Sequence, residues 1–221
     1  MKFTELQLNE SILEAIDHMG FVEATPIQSF AIPKILDGKD IIACAQTGTG
    51  KTAAFILPVL NKLSGREETS VNTLIIVPTR ELAVQIDQEI QGLSYFVSVG
   101  SMAIYGGGSG KDWDVQKEAL TEGRDIIVAT PGKLLSHLQQ GYVDFSQVQH
   151  LILDEADKML DMGFADDLIK IISFLPKERQ NLMFSATMPP KIRDLAKRIL
   201  KDPEEITLSI SKPAAGVTQR V

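Results

Sequence analysis

The chain has 221 residues, and its 22 basic and 29 acidic side chains leave a formal net charge of −7 at pH 7. With 44% hydrophobic and 23% charged residues, it can bury a core and is not expected to be disordered. The single cysteine, Cys44, excludes an internal disulfide framework and a thiolate zinc cage, and favours a cytoplasmic setting. Without a secretory pattern or a run of about 18 apolar residues, neither secretion nor membrane insertion is expected. The acidic balance indicates that any nucleic acid binds at a local surface.

Short apolar runs alternate with amphipathic stretches along the chain. This order is typical of an α/β domain with a mainly parallel sheet flanked by helices. The apolar runs predict strands at 40–45, 73–77, 101–105, 125–129, 151–153 and 182–184, with an added strand at 206–210. The amphipathic stretches predict helices at 9–19, 52–63, 80–93, 133–139, 165–175 and 190–200. Pro58 is expected to kink or interrupt the second of these helices.

Small and polar residues follow each of the first six predicted strands. In chain order they are AQTGTGKT (45–52), PTRE (78–81), GGG (106–108), TPGK (130–133), DEAD (154–157) and SAT (185–187). Ligands of an open parallel sheet bind in the crevice outside the carboxyl ends of its strands. We therefore expect these six clusters to line one rim.

The first cluster matches a phosphate-binding loop, except that Ala45 replaces the usual first glycine. Gly48 and Gly50 let backbone N–H groups turn inward around phosphate oxygens, because no Cβ is in the way. Lys51 supplies a point charge for the β- and γ-phosphates, and the Thr52 hydroxyl a ligand for Mg²⁺. A glycine-rich helix cap is the weaker interpretation, since strand, loop, Lys-Thr and helix follow in the required order. The other loop residues expected at the nucleotide are Gln46, Thr47 and Thr49.

The DEAD cluster directly follows an apolar strand. An acidic helix start would be favoured by the helix dipole alone. Together with the phosphate-binding loop, however, the cluster indicates a second metal-binding strand end, with Asp154 facing Mg²⁺. Glu155 is then the residue expected to orient and deprotonate the attacking water. These carboxylates, with Lys51, are the expected catalytic set, so hydrolysis is implied.

The clusters that begin near Thr79, Thr130 and Ser185 have an ordinary structural explanation as helix N-caps. A helix N-terminus also binds phosphate, so three of them on one rim could follow a sugar-phosphate backbone despite the acidic net charge. No ligand spacing connects the three histidines, which are expected to lie at the surface or to be satisfied internally. No partner is identified for Trp113 from the sequence.

With these motifs in place, the chain closely resembles the first RecA-like domain of the DEAD-box ATP-dependent RNA helicases. AspGluAlaAsp is the string that names the family, and the PTRE, SAT and AQTGTGKT clusters stand in the family's order. The resemblance covers nearly the whole chain. It implies a three-layer RecA-like P-loop NTPase domain that binds ATP, Mg²⁺ and RNA and couples ATP hydrolysis to local duplex unwinding.

The resemblance also assigns residues to the base and to the RNA. Residues 1–30 resemble an adenine-recognition region, in which Gln28 reads the adenine edge and Phe3 stacks on its ring. The residues assigned to adenine recognition are Phe3, Phe21, Thr25 and Gln28, and those assigned to RNA are Thr79, Arg80, Gly107, Thr130 and Gly132. Ser185 and Thr187 are expected to link the Asp157 region to RNA-dependent closure. Lys133 stands where the family usually has Arg, which replaces a fork-shaped phosphate contact by a point charge.

The expected organisation is a RecA-like domain over residues 1–210 and the start of an interdomain linker over 211–221. The family's second RecA-like domain is not found in the sequence, so the chain is expected to be a monomeric part of a longer protein. Two other functions remain open: a DNA-directed helicase or other P-loop ATPase, and a nucleotide-dependent module that clamps RNA or protein without unwinding.

Overall fold

The apolar runs form a parallel sheet in this computed structural model, which describes residues 1–67, 70–107 and 110–208. The strands of this described part are β1 Ile41–Cys44, β2 Thr73–Ile76, β3 Ser101–Ile104, β4 Ile126–Ala129, β5 His150–Leu153, β6 Gln180–Ser185 and β7 Glu204–Thr207. Their order is β3-β4-β2-β5-β6-β1-β7, and all neighbours pair in parallel. The six main predicted strands are confirmed, and β7 begins two residues earlier than expected.

The helices of the same part of the chain cover both faces of the sheet. They are α1 Glu10–His18, α2 Pro26–Leu36, α3 Lys51–Leu63, α4 Arg80–Leu93, α5 Gly110–Thr121, α6 Pro131–Leu138, α7 Ala156–Asp161, α8 Ala165–Ile172 and α9 Pro190–Ile199. A short 3₁₀ turn, Phe3–Glu5, precedes them. All six predicted helices are present. The sequence did not predict α2, α5 or α7.

Helix α3 runs without interruption through Pro58, so the predicted break is wrong. A proline removes one backbone hydrogen bond and crowds the preceding turn. Ten of the 13 residues of α3, Pro58 among them, are buried, and the helix packs along α2. Burial on several sides outweighs the local preference for a break.

Successive strand residues point to opposite faces, and each face has its own apolar core. Ile41, Ala43, Ile75 and Val77 join the core under α1 to α4, whereas the intervening Ile42, Leu74 and Ile76 join the core under α6 to α9. This alternation is the two-residue period of a strand. The prediction of three layers is therefore confirmed.

The register brings the carboxyl ends of the strands to one edge. Cys44 pairs with Ser185 on one side and Thr207 on the other, while Ile76 pairs with Ala129 and Leu153. The polar clusters that follow these strands therefore share one rim, as expected from the sequence. The expected linker at 211–221, residues 209–210 and Gly108 lie outside the described residues. No described helix is long and apolar enough to cross a membrane.

Candidate functional site

The loop between β1 and α3 carries two glycines in a left-handed conformation, Gly48 with φ +82° and Gly50 with φ +86°. At Gly50 an added Cβ would lie 2.6 Å from Gln28 Nε2, closer than such atoms approach one another. The backbone angle therefore favours glycine at position 50, and any Cβ there would displace the Gln28 amide. In the exposed part of the loop, the Thr49 hydroxyl donates to the Gln46 carbonyl at 2.8 Å, and Thr47 is exposed beside them.

Lys51 opens α3 and is only 6% exposed. Among the described residues its Nζ has no hydrogen-bond partner, and the Asp154 Oδ1 oxygen lies 4.0 Å away. A buried ammonium without acceptors is unfavourable unless a ligand supplies them. The next residue, Thr52, is half-buried. The loop and Lys51 thus form a cradle suited to an anion.

Asp154 follows β5 and is 3% exposed. Burial raises its pKa from the ordinary 3.8 to about 6, although the Lys51 charge and a hydrogen bond from the Glu155 amide act in the opposite direction. The amide donates to Asp154 Oδ1 at 2.9 Å. A carboxylate held this far from water binds a cation more readily than an exposed one would, because the ion replaces missing solvation.

Glu155 has left-handed backbone angles, φ 53° and ψ 46°, which are rare outside glycine. Such strain is found where the surrounding structure fixes a residue for function. The side chain is 7% exposed, and Lys158 Nζ donates to its carboxylate at 2.9 Å. Lys158 was not singled out from the sequence, although its spacing of three residues from Glu155 on a helix is the signal for such a pair.

Gln28 connects the N-terminal region to the phosphate-binding loop. It lies on the first turn of α2, where its Oε1 accepts from the Thr25 amide at 2.9 Å and its Nε2 donates to the Gly50 carbonyl at 3.1 Å. A glutamine three residues after an N-cap threonine is the pattern that signals this backward contact. The side chain is 5% exposed. From the sequence without the family resemblance, Gln28 would be interpreted as an ordinary surface glutamine.

The two aromatic residues assigned to adenine recognition contact each other. The rings of Phe3 and Phe21 stack with centroids 6.3 Å apart and an angle of 25° between their planes. Phe3 is 4% exposed, whereas Phe21 is half-buried and is followed by exposed residues. Of the pair, Phe21 is therefore the ring that presents surface to solvent.

Asp157, Ser185 and Thr187 form one hydrogen-bonded cluster between α7 and the end of β6. Asp157 Oδ2 accepts from the Thr187 amide at 2.9 Å and from its hydroxyl at 2.8 Å. The Ser185 hydroxyl donates to the Thr187 carbonyl at 2.7 Å and accepts from the Asp157 amide at 3.3 Å. Burial alone would raise the pKa of Asp157, but the Thr187 hydroxyl and nearby amides donate to its carboxylate and lower it.

An open groove lies on the rim at the carboxyl ends of β2, β3 and β4. Its lining residues are Pro78, Arg80, Gly106, Thr130, Gly132, Lys133, Ser136 and Phe164. Gly107, with φ +90°, adjoins it, because a Cβ there would lie 3.7 Å from an Arg80 guanidinium nitrogen. The structure thus brings together four of the five residues assigned to RNA. The fifth, Thr79, caps α4 by accepting from the Leu82 amide at 3.3 Å.

Cys44 departs from its expected burial. Its position on an apolar strand predicts a buried, apolar side chain, yet it is half-buried at the end of β1, and its Sγ lies 3.5 Å from the Ala186 carbonyl oxygen. Its place at the carboxyl end of the strand, next to the rim, accounts for the exposure.

Comparison with known proteins identifies the family. Residues 25–195 match the DEAD/DEAH box helicase family. The chain belongs to this family. It is 46% identical over 214 residues to the ATP-dependent RNA helicase CshA of Listeria monocytogenes, a match that covers 97% of this chain and 40% of that protein. It is 47% identical over 204 residues to the DEAD-box ATP-dependent RNA helicase CshA of Bacillus cereus, covering 92% of this chain and 38% of that one.

A crystal structure of a DEAD box protein from the hyperthermophile Methanococcus jannaschii has the same fold, with a TM-score of 0.89 and 40% sequence identity. The match covers 95% of this chain and 56% of that one. The family resemblance and the RecA-like fold expected from the sequence are therefore confirmed. This DEAD-box chain spans about 40% of the length of the curated relatives it matches.

Proposed function

We propose that this chain is the ATP-binding RecA-like domain of an ATP-dependent RNA helicase, which couples ATP hydrolysis to RNA binding and local duplex unwinding. The observation that carries the proposal is the buried Lys51 ammonium, without a hydrogen-bond partner among the described residues and 4.0 Å from Asp154 Oδ1. A triphosphate would supply the acceptors that the ammonium lacks. The names of the relatives support RNA as the nucleic acid.

The residues present fit a magnesium ion bound together with ATP. Thr52 and Asp154 would hold it, because Mg²⁺ is usually bound by one or two protein oxygens together with phosphates and water. When bound, the ion supplies positive charge to the β- and γ-phosphate oxygens. The raised pKa of Asp154 supports this assignment, since a buried carboxylate is stabilised by a neighbouring cation.

Glu155 would act as the base that orients and deprotonates the attacking water. Its carboxylate forms a salt bridge with Lys158, whose side chain is 56% exposed and can therefore move away. The fixed backbone at Glu155 keeps the carboxylate next to Asp154 when this contact opens. Lys51 would neutralise charge on the transferred phosphate.

The adenine base would bind against the N-terminal region formed by residues 1–30. Gln28 would read its edge, and the ring of Phe21, which stacks on the buried Phe3, would contact its face. Because Gln28 also donates a hydrogen bond to the Gly50 carbonyl, occupation of the base site would act directly on the phosphate-binding loop.

The groove around Arg80, Gly107, Thr130 and Gly132 would bind the RNA backbone, with Thr79 placing the start of α4. The helix N-termini there offer N–H groups to phosphates, which allows an acidic domain to bind a polyanion locally. The cluster of Asp157, Ser185 and Thr187 follows β5 and β6, which stand between β1 and β2 in the sheet, and would couple the two proposed sites.

The proposed domain comprises residues 1–210, with a linker beginning at 211–221 and leading to a second RecA-like domain. The greater length of the relatives supports this organisation. Such an enzyme would work as a cytoplasmic monomer in which the two domains close on ATP and RNA.

A comparison of RNA and DNA as activators tests the proposal. In the full-length protein we expect ATP hydrolysis to rise with single-stranded RNA and not with DNA of the same sequence, and an RNA duplex to be displaced. Equal stimulation by DNA would favour a DNA-directed ATPase instead. Stimulation by RNA without displacement of any duplex would favour an RNA clamp.

A further inference from the structure

Two cations that line the groove lie over aromatic rings. The Arg80 guanidinium carbon lies 4.6 Å from the centroid of the Tyr105 ring, and Lys133 Nζ lies 4.2 Å from the centroid of the Trp113 ring. Cation–π attraction acts at such distances and is strongest for tryptophan. Both cations are therefore restrained before any ligand arrives.

The two rings belong to one connected set of residues, which we call the aromatic scaffold: Tyr105, Gln116, His137 and Trp113. Gln116 Nε2 donates to the Tyr105 carbonyl at 3.2 Å. Its Oε1 accepts from His137 Nε2 at 3.1 Å, and the His137 ring stacks on Trp113 with centroids 3.9 Å apart and planes 19° apart. The scaffold thus ties α5 to α6 and to the end of β3 behind the groove.

His137 is the centre of the scaffold and is fully buried. Burial, and to a smaller degree the Lys133 charge, lowers its pKa to about 4. At neutral pH its ring is therefore uncharged, with Nε2 donating to Gln116 and Nδ1 accepting from the Tyr142 hydroxyl. A neutral ring supports the indole from behind without repelling the Lys133 ammonium.

We propose that Trp113 is a positioning residue that holds Lys133 at the groove for contact with an RNA phosphate. The proposal rests on the proposed RNA function of the groove. Lysine is a point charge on a flexible four-carbon stem, and without restraint it lacks the directed geometry of the arginine fork. The indole face restricts where the ammonium lies, so the Trp113–Lys133 pair takes the place of a rigid guanidinium.

Trp113 can serve as an intrinsic fluorescence probe, because it is the single tryptophan of the chain. Titration of the chain with single-stranded polyuridylate at low salt would be followed by Trp113 emission and, independently, by fluorescence anisotropy of labelled RNA. We expect the emission to change as the RNA saturates, since a phosphate bound at Lys133 lies next to the indole. In Lys133→Gln this change should be lost.

Substitutions separate the charge from the ring that positions it. Lys133→Gln should weaken RNA binding roughly fivefold and lower the slope of log affinity against log salt by about 0.7, the value for one single-strand phosphate contact. Trp113→Leu removes the π face and should weaken binding roughly threefold. Trp113→Phe keeps an aromatic face and should restore most of the loss. Lys117→Gln is the matched control, since Lys117 also lies over a ring, that of Tyr142 at 5.1 Å, outside the groove lining.

ADP affinity and urea unfolding check that each variant is folded. The proposal is overturned if Lys133→Gln weakens binding no more than Lys117→Gln, or if Trp113→Phe binds as weakly as Trp113→Leu. Should Trp113→Leu fail to fold, the Lys133→Gln emission and Trp113→Phe affinity decide the question. Absence of RNA binding by the unmodified chain would overturn the groove's RNA function as well, which distinguishes the two failures.

Discussion

The Lys51 ammonium and the Asp154 carboxylate lie 4.0 Å apart with side chains only 6% and 4% exposed. The distance is too long for a hydrogen bond, so neither charge is fully satisfied by the other. Two such groups in a buried position are stabilised further by any ligand that supplies both phosphate oxygens and a cation. The pair is therefore arranged for a metal–nucleotide complex rather than for the stability of the empty domain.

Lys51 and Glu155 should act at different steps. Lys51→Ala removes a charge from the phosphate cradle, so a fluorescent ATP analogue should bind roughly tenfold to hundredfold more weakly. Glu155→Gln keeps the shape and removes the base, so binding should stay within about twofold while hydrolysis is lost. Lys170→Ala removes the same charge from an exposed position on α8 and serves as the control. An equal loss of binding in Lys51→Ala and Glu155→Gln would contradict the assignment.

Asp154 should make stability depend on pH with a definite sign. Because its folded pKa is raised from 3.8 to about 6, the folded state binds more protons than the unfolded state within this range. The carboxyl therefore lowers stability as pH rises from about 4 to 6. As pH rises over that range, the free energy of unfolding of Asp154→Asn should increase relative to that of the unmodified chain, by at most about 3 kcal/mol.

Urea unfolding of both proteins at about pH 4 and pH 7 measures this difference. Titrating groups that do not interact with Asp154 are shared by the two proteins and cancel in the comparison. A stability difference that is the same at both pH values would show that Asp154 ionises normally.

Gln28 should determine the choice of base. A site that pairs polar groups with the adenine edge disfavours guanine, because donors and acceptors are left unsatisfied. Calorimetry should therefore find ADP bound more tightly than GDP, and Gln28→Ala should narrow the gap. Since Gln28 also bonds to Gly50, this variant should bind both nucleotides more weakly. Gln140→Ala, an exposed glutamine beyond α6, should change neither affinity. Equal ADP and GDP affinities in the unmodified chain would rule out the adenine assignment.

Thr187 should stabilise the domain through Asp157. Thr187→Ala removes the 2.8 Å hydrogen bond to a carboxylate and should lower the free energy of unfolding at pH 7 by roughly 1 kcal/mol. Thr187→Ser keeps the hydroxyl and should stay near the original value. Because the pKa of Asp157 is lowered in the fold, this contribution is present above its ordinary pKa and is lost as pH falls below that range. If the alanine and serine variants are equally stable at pH 7, the hydroxyl contributes nothing.

The rim could be predicted because its signals are local in sequence. The phosphate-binding loop at 45–52 and the acidic strand end at 154–157 are each recognised from residues that are close together in sequence. Parallel strands then bring the two motifs to one edge of the sheet. Trp113 could not be placed in this way, since its partner His137 lies 24 positions away and neither residue type marks the contact. Likewise, the predicted break at Pro58 rested on the local preference of proline, whereas in the fold burial along α2 outweighs that preference.

These 221 residues alone should hydrolyse ATP slowly. In P-loop hydrolases, an arginine that meets the charge developing in the transition state raises the rate by roughly 10³ to 10⁵. Here Arg80 is held over Tyr105, and Arg193 contacts Glu205 at 3.4 Å. Neither is therefore engaged with the phosphate cradle.

We accordingly expect the chain to bind adenine nucleotides but to release phosphate from ATP very slowly, with little stimulation by RNA and no strand displacement. RNA bound by one domain neutralises few phosphates, so its affinity should be low and should fall steeply with salt. Joining a second RecA-like domain after residue 211 should restore all three activities, as measured by phosphate release and by displacement of a labelled RNA strand. ADP binding by the isolated chain is the control that its site is formed. Fast RNA-stimulated hydrolysis by residues 1–221 alone would require an arginine of this chain to reach the γ-phosphate, and substitution of each of its seven arginines in turn would identify it.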